Sequence, residues 1–168
     1  LAEKLTAAVT VYLQMQIAAG VDAVQIFDSH GGHLASPEFQ EASGRWMKEI
    51  ITAIGTPASG PARSSKQHQH AGSETGAPPV IAFSLGTHGN WPDLIVTGVH
   101  VIGIDWQTSL AEVRKIIPAH IALQGNLSPT LIRDATPEVV AAETKTVLDA
   151  MRGRPGHIFN LGHGLRSE

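Results

Sequence analysis

The sequence predicts an α/β fold, specifically about the last five strands of a (β/α)8 TIM barrel. Three observations lead there. Helical and strand-like patterns alternate along the chain, which is the signature of parallel strands joined by helical crossovers. The strands are short and almost continuously apolar, as strands buried on both faces are. A glycine-rich or polar tip follows each strand, at the end where a barrel assembles its site. A nucleotide-binding open sheet is disfavoured, because no Gly-x-Gly-x-x-Gly turn opens a helix near the start and no Walker-type Gly-Lys-Ser/Thr occurs. Five strands cannot close a barrel that needs eight, so residues 1–168 read as a single partial barrel domain, the back portion of a larger enzyme. Leu1 enters directly into a helical pattern and residues 165–168 stop just after a glycine turn; both ends read as cuts.

The elements follow in order. Leu1, Leu5, Val9, Leu13 and Ile17 recur at four-residue spacing, which predicts an amphipathic helix over 1–19 ended by Gly20 in a left-handed cap. Residues 23–27 form the first strand, with the tip Asp28-Ser-His-Gly-Gly-His33. Ser36, Pro37 and Glu38 supply a cap, a first-turn proline and an early acid for one helix running to about Ile54. Residues 55–79 have no apolar periodicity and many breakers, so they read as a disordered insertion. His68 and His70 within it read as solvated rather than as metal ligands, since nothing nearby fixes a coordination geometry.

Further along, residues 80–84 are a strand with the tip Leu85-Gly-Thr-His-Gly89, followed by a helix from Trp91 to Thr97 that ends at Gly98. A strand over 101–105 has its tip at Asp105-Trp106, and Ser109 caps a helix to about Ile117. A strand over 121–124 ends at Gly125-Asn126, and Thr136-Pro137-Glu138 opens a helix to about Met151. The closing strand, Ile158 to Leu161, ends in Gly162-His163-Gly164, where glycine on both sides brings one imidazole to the rim.

Composition narrows the class. The chain is 42% hydrophobic and 16% charged with a formal net charge of -3, an ordinary globular balance with about one domain's worth of core. It has no basic footprint for nucleic acid and no basic amphipathic face for a membrane surface. No apolar run approaches the roughly 18 residues of a transmembrane helix. Zero cysteines exclude disulfides, thiolate chemistry and Cys-ligated zinc within these residues.

Among the tips, Ser29 and His163 would face the same mouth. Ser29 is not in a Gly-x-Ser-x-Gly elbow, so it reads as a hydroxyl donor to an anionic substrate or as a local cap. Asp28 and Asp105 would be either paired carboxylates for acid–base work or, preferably, holders of neighbouring backbone at the strand ends. Gln124 and Asn126 offer neutral hydrogen bonding and are equally compatible with structural roles. A histidine-only metal site among His30, His33 and His88 is disfavoured.

Four segments carry a specific resemblance: residues 25–34 (Gln-Ile-Phe-Asp-Ser-His-Gly-Gly-His-Leu), 101–106 (Val-Ile-Gly-Ile-Asp-Trp), 123–129 (Leu-Gln-Gly-Asn-Leu-Ser-Pro) and 153–164 (Gly-Arg-Pro-Gly-His-Ile-Phe-Asn-Leu-Gly-His-Gly). In this order they resemble the uroporphyrinogen decarboxylase family across nearly the whole chain apart from 55–79. The resemblance implies a (β/α)8 barrel that works as a homodimer in tetrapyrrole biosynthesis. It implies removal of carbon dioxide from the four acetate side chains of uroporphyrinogen to give coproporphyrinogen, with no metal or organic cofactor. It also implies a cytoplasmic setting, with a plastid as the alternative. Carried over by position, Ser29 and His163 bind substrate and Phe27 is an apolar wall for the macrocycle. The family's catalytic aspartate, arginine cluster and active-site tyrosine belong to the front portion and have no counterpart here. No catalytic residue is therefore expected in this chain, which alone would be inactive. Two alternatives stand beside this reading. One is a corrinoid-linked methyltransferase on a similar barrel, against which the lack of cysteine argues. The other is a non-catalytic remnant that binds porphyrinogen.

Overall fold

The structure is a computed structural model and describes residues 1–55, 77–87 and 89–165. Strands β1 (Val24–Asp28), β2 (Val80–Ser84), β3 (Val101–Gly103), β4 (Ala122–Gln124) and β5 (His157–Ile158) form one sheet. Every neighbouring pair is parallel, and the spatial order is the chain order. A doubly wound sheet reverses its order at a switch point. This one does not, and consecutive parallel order with helical crossovers is the arc of a (β/α)8 barrel.

Helices fill the connections: α1 (Ala2–Ala18), α2 (Ser36–Phe39), α3 (Arg45–Gly55), α4 (Trp91–Ile95), α5 (Leu110–Ile116), α6 (Pro129–Asp134) and α7 (Pro137–Ala150). The period-2 alternation of each strand divides its side chains between two faces. Val24, Val80, Ala82, Ile102 and Leu123 point outward and join Leu13, Phe39, Met47, Ile50, Leu94 and Val113 in the core between sheet and helices. Ile81, Phe83 and Val101 are also buried, but on the opposite, inner face. Arg114 closes the bottom of this layer. Its guanidinium donates to the carbonyls of Ile121 (2.8 Å), Ile117 (2.5 Å) and Pro118 (2.5 Å), fastening the end of α5 to the chain entering β4. Burial, and then the charge of Arg154, pull its pKa below the usual guanidinium value.

Several local expectations are corrected. The helix predicted from Ser36 to Ile54 is interrupted by a π turn over Gln40–Gly44. Ser36 is not its cap: Ala35 holds that position, and the Ser36 hydroxyl instead donates to Asp93 Oδ2 at 2.7 Å. Ser109 does occupy the cap position of α5, but without a side-chain cap bond. The α6 helix was not expected at all, and β5 is shorter than the apolar run it sits in. Beyond it the chain continues alongside β4's extension through a single parallel bridge, Leu127 to Leu161. Of the stretch 55–79 expected to be disordered, Gly55 is the last residue of α3, and Pro79 accepts a hydrogen bond from the Val24 N–H at 3.1 Å. Residues 56–76, with His68 and His70, lie outside the described residues, as do His88 and residues 166–168.

The apolar stripe of α1 is covered only near its C-terminal end. Leu13 is buried and Ile17 packs against the core. Leu5 and Tyr12 are 57% and 60% exposed, along a groove between α1, β1 and α3 that Val9 and Trp46 also line. β1 and β5 are the edges of the sheet, each paired on one side. Unpaired edges beside exposed apolar surface promote association. The chain expressed by itself is expected to self-associate at micromolar concentration. Size-exclusion chromatography with light scattering checks this, and a monomer with one cooperative urea transition would contradict it.

Tight approach at the tips makes a second expectation. A Cβ built on Gly162 would lie 2.4 Å from the Trp106 backbone nitrogen, and backbone cannot give way as a flexible side chain does. Gly162→Ala should cost about 1–3 kcal/mol in a urea titration, with a shifted tryptophan emission as the β5 tip moves off Trp106.

Candidate functional site

The mouth of the sheet is built from strand tips tied to one another. Asp28, at the end of β1, accepts four hydrogen bonds. Its Oδ1 takes the N–H groups of His30 (3.0 Å) and Gly31 (2.9 Å). Its Oδ2 takes the hydroxyls of Ser43 (2.7 Å) and Ser84 (3.2 Å). The π turn is what swings Ser43 over that carboxylate, and such turns recur where a helix must present a group out of register. Asp105, only 3% exposed, accepts the N–H of Gly86 at 2.9 Å and of Gln107 at 3.0 Å, so it joins the tip of β3 to that of β2. Asn126 donates to the carbonyls of Asp105 (2.8 Å) and Thr108 (2.5 Å), binding the β4 tip to the same corner. Of the two roles considered for Asp28 and Asp105, the geometry assigns them the structural one.

Between these tips, on the inner face, lies a cleft of about 430 Å³. Ser29, Phe27 and His163, the three residues singled out as substrate-binding, all line it. Phe27 is 67% exposed, so its ring is presented rather than packed away. It tilts against Phe83 with centroids 6.2 Å apart. The His163 ring stands edge-on to Phe83 (6.3 Å) and to Trp106 (6.0 Å). Its Nδ1 lies 3.0 Å from the carbonyl oxygen of Gly164. A carbonyl can only accept, so Nδ1 carries the proton and Nε2 is the acceptor of the neutral ring.

Sequence reasoning missed Phe83 and Gln25 as members of this cleft, and Trp106 as a neighbour of the His163 ring. Phe83 and Trp106 hold the His163 ring, and Gln25 lines the wall below Phe27. Gln25 and Phe27 share a face by period 2, which was a usable signal. Phe83 sits in a run buried on both sides, where periodicity is silent. His30 and His33 stack on each other at 5.9 Å in the loop after β1 and are not among the cleft residues. Among the described residues, no three of His, Cys, Asp or Glu are grouped so as to hold a metal ion, and no helix is long and apolar enough to cross a membrane.

The arrangement defines a barrel-type α/β protein with a neutral, aromatic-walled cleft at the C-terminal ends of its strands. The chain belongs to the uroporphyrinogen decarboxylase (URO-D) family, whose model matches residues 1–168. It is 40% identical over 159 residues to the uroporphyrinogen decarboxylase of Burkholderia thailandensis, covering 94% of this chain and 39% of that protein. It is 39% identical over 165 residues to that of Magnetococcus marinus, covering 98% of this chain and 42% of that protein. A Burkholderia pseudomallei uroporphyrinogen decarboxylase matches at 39% over 159 residues. The chain thus spans about two fifths of the length of these relatives.

The Asp28 hub yields a direct test. Asparagine has one acceptor oxygen, and its amide nitrogen would face two existing donors. Asp28→Asn is expected to cost about 1.5–3 kcal/mol, the usual range for hydrogen bonds to a charged group. In a double-mutant cycle with Ser43→Ala the losses should be less than additive; simple additivity in urea unfolding would show that the two groups act separately.

Proposed function

We propose that this chain forms one wall of the active site of a uroporphyrinogen decarboxylase, acting as part of a longer protein. The observation that carries the reading is the convergence of Ser29, His163 and Phe27 on one cleft at the strand tips. The exposed Phe27 and the Phe83 ring beside it suit the face of a macrocycle. The Ser29 hydroxyl suits a carboxylate as donor. His163, with Nδ1 occupied by Gly164, suits a pyrrole N–H through Nε2, or a carboxylate when the ring is protonated.

Decarboxylation of an acetate arm needs an electron sink, which the pyrrole ring supplies once protonated. The bond from the methylene carbon to the carboxylate then breaks, carbon dioxide leaves, and the electron pair enters the ring. A proton added to that carbon, with loss of the proton first placed on the ring, leaves a methyl group on a neutral pyrrole. Ser29 and His163 hold and orient the reacting arm and ring, which is where positioning lowers the barrier. The residues expected to stabilise the cationic ring, an aspartate and an arginine cluster, are those that the family resemblance places outside this chain. The chain alone is accordingly inactive on this reading. The homodimer, the cytoplasmic setting and the absence of a metal or organic cofactor belong to the same proposal.

The test follows porphyrin carboxylate number by chromatography after incubating uroporphyrinogen with the full-length protein that contains these residues. Stepwise conversion from eight carboxylates to four is expected, with none by residues 1–168 alone. Ser29→Ala and His163→Asn should each lower kcat/KM about 10- to 100-fold, the equivalent of one hydrogen bond to a charged group. Binding without conversion by folded full-length protein would favour a non-catalytic porphyrinogen binder instead.

A further inference from the structure

The inner face carries one polar feature that neither the tips nor the proposed chemistry uses. Gln124 Nε2 donates to Gln25 Oε1 at 3.3 Å, from β4 to β1. These strands are not neighbours: β2 and β3 lie between them, so the bond runs across the concave side of the sheet. The bond needs room, and Gly103 provides it. Gly103 lies beside Gln124 in the β3–β4 register and beside Phe83 in the β2–β3 register. A Cβ there would sit 2.8 Å from the Phe83 ring, so any larger residue would push Phe83 into the space the amides span. Both glutamines line the same cleft as Ser29 and His163.

Their depth is set by the strand. Gln25 is two residues before Phe27 on the same face, about 6.6 Å deeper along β1. Gln124, by contrast, stands in register with Gly103, Phe83 and Phe27, so the pair runs from the level of the macrocycle wall down to Gln25, and a side arm of a bound ring would be what reaches the lower amide. The two carboxamides together offer four N–H donors, and the bond between them consumes one. Whichever amide donates, the other keeps its NH2 group for a ligand. Gln124 is 7% exposed and Gln25 half-buried, so a carboxylate seated there would meet donors in a partly desolvated place. The inner-face neighbours are Ile81, Phe83 and Val101, which bring no competing negative charge.

We infer that Gln25 and Gln124 form a subsite on the inner face of the cleft that takes a carboxylate-bearing side arm of the substrate and fixes the rotation of the bound ring. The substrate's identity rests on the proposed function; the subsite's geometry does not. Neutral amides suit this role. They grip a carboxylate without the strong attraction of an arginine, so a polycarboxylate can turn and re-seat between successive reactions.

The experiment is steady-state kinetics of the full-length protein on uroporphyrinogen, with thermal melts of every variant. Gln25→Leu should raise KM about tenfold with kcat within about twofold, the signature of a lost ground-state contact. Gln25→Glu keeps the shape but places a negative charge against the arm. Its KM should rise further at pH 8 and fall back toward wild type as the pH drops to 5.5 and the new carboxyl gains a proton. Gln124→Met, on the partner amide, decides the matter should Gln25→Leu melt early. Unchanged KM in folded Gln25→Leu and Gln25→Glu, or a loss confined to kcat, overturns the subsite while leaving the decarboxylase reading intact. No turnover by the folded wild-type protein overturns both.

Discussion

A parallel sheet whose strands are two to five residues long has few ladder hydrogen bonds with which to hold its own mouth. The cleft depends on bonds made beyond the ladder. Leu85 N–H reaches the Asp28 carbonyl at 3.1 Å, Gly32 N–H the Leu85 carbonyl at 3.0 Å, and Leu127 N–H the Asn160 carbonyl at 3.1 Å. Asp28 and Asp105 complete the set: Asp28 accepts the N–H groups of its own tip and the Ser84 hydroxyl of the next, and Asp105 accepts the Gly86 N–H across the tips. Carboxylates serve here because hydrogen bonds to an ionised acceptor are roughly twice as strong as neutral ones. The cost of holding a charge at a half-buried corner for Asp28, and at a buried one for Asp105, is offset by the number of donors each one meets.

That arrangement has a chemical consequence for the cleft. The acids closest to the mouth are turned into backbone and hydroxyl contacts, and among the described residues none that lines the cleft carries an acidic or basic side chain other than the imidazole of His163. On the proposed reading, a substrate bristling with carboxylates would be repelled by an unpaired Asp at the tip of β1 or β3. Satisfying Asp28 with Ser43, Ser84 and two N–H groups therefore serves the cleft as well as the fold. The outer face, by contrast, is ordinary core, where Ile102, Leu94, Val113 and Leu123 are fully buried and only volume matters.

The alternation of elements, and with it the fold class, was legible because strand and helix periods differ and each tip is marked by glycine or a polar residue. The cleft members Ser29, Phe27 and His163 came from four short segments whose residue order is specific, and the structure brings them to one place. Other features left no local trace. A π turn shifts the helical register by one residue, and Gln40–Gly44 has no residue that demands it; the contact made within the turn is that of Ser43 with Asp28, fifteen positions upstream. Ser36 is a good cap in isolation, yet Asp93, far away in sequence, takes its hydroxyl. The α1 stripe from Leu1 to Ile17 reads correctly as helix, but whether a stripe is covered depends on what packs there, and among the described residues only its Leu13 end is. Gln25 and Gln124 are 99 positions apart, and no spacing rule joins residues on strands that do not even pair.

On the proposed reading, the neutrality of this wall says how the work is divided. Amides, one hydroxyl and one imidazole can sort and orient carboxylates, but they cannot by themselves stabilise a ring that has become a cation or balance the charge of several carboxylates held together. Those tasks need fixed charges of both signs in a water-poor site, where such charges act far more strongly than in bulk water. They would have to stand on the opposite wall, facing Phe27 and Phe83 across the bound ring. A neutral wall is then a requirement rather than an omission. Positive groups at Gln25 or Gln124 would compete with the opposite wall for the same carboxylates, and the ring would settle in more than one orientation. Specificity for the reacting arm comes from one side being charged and the other merely directional.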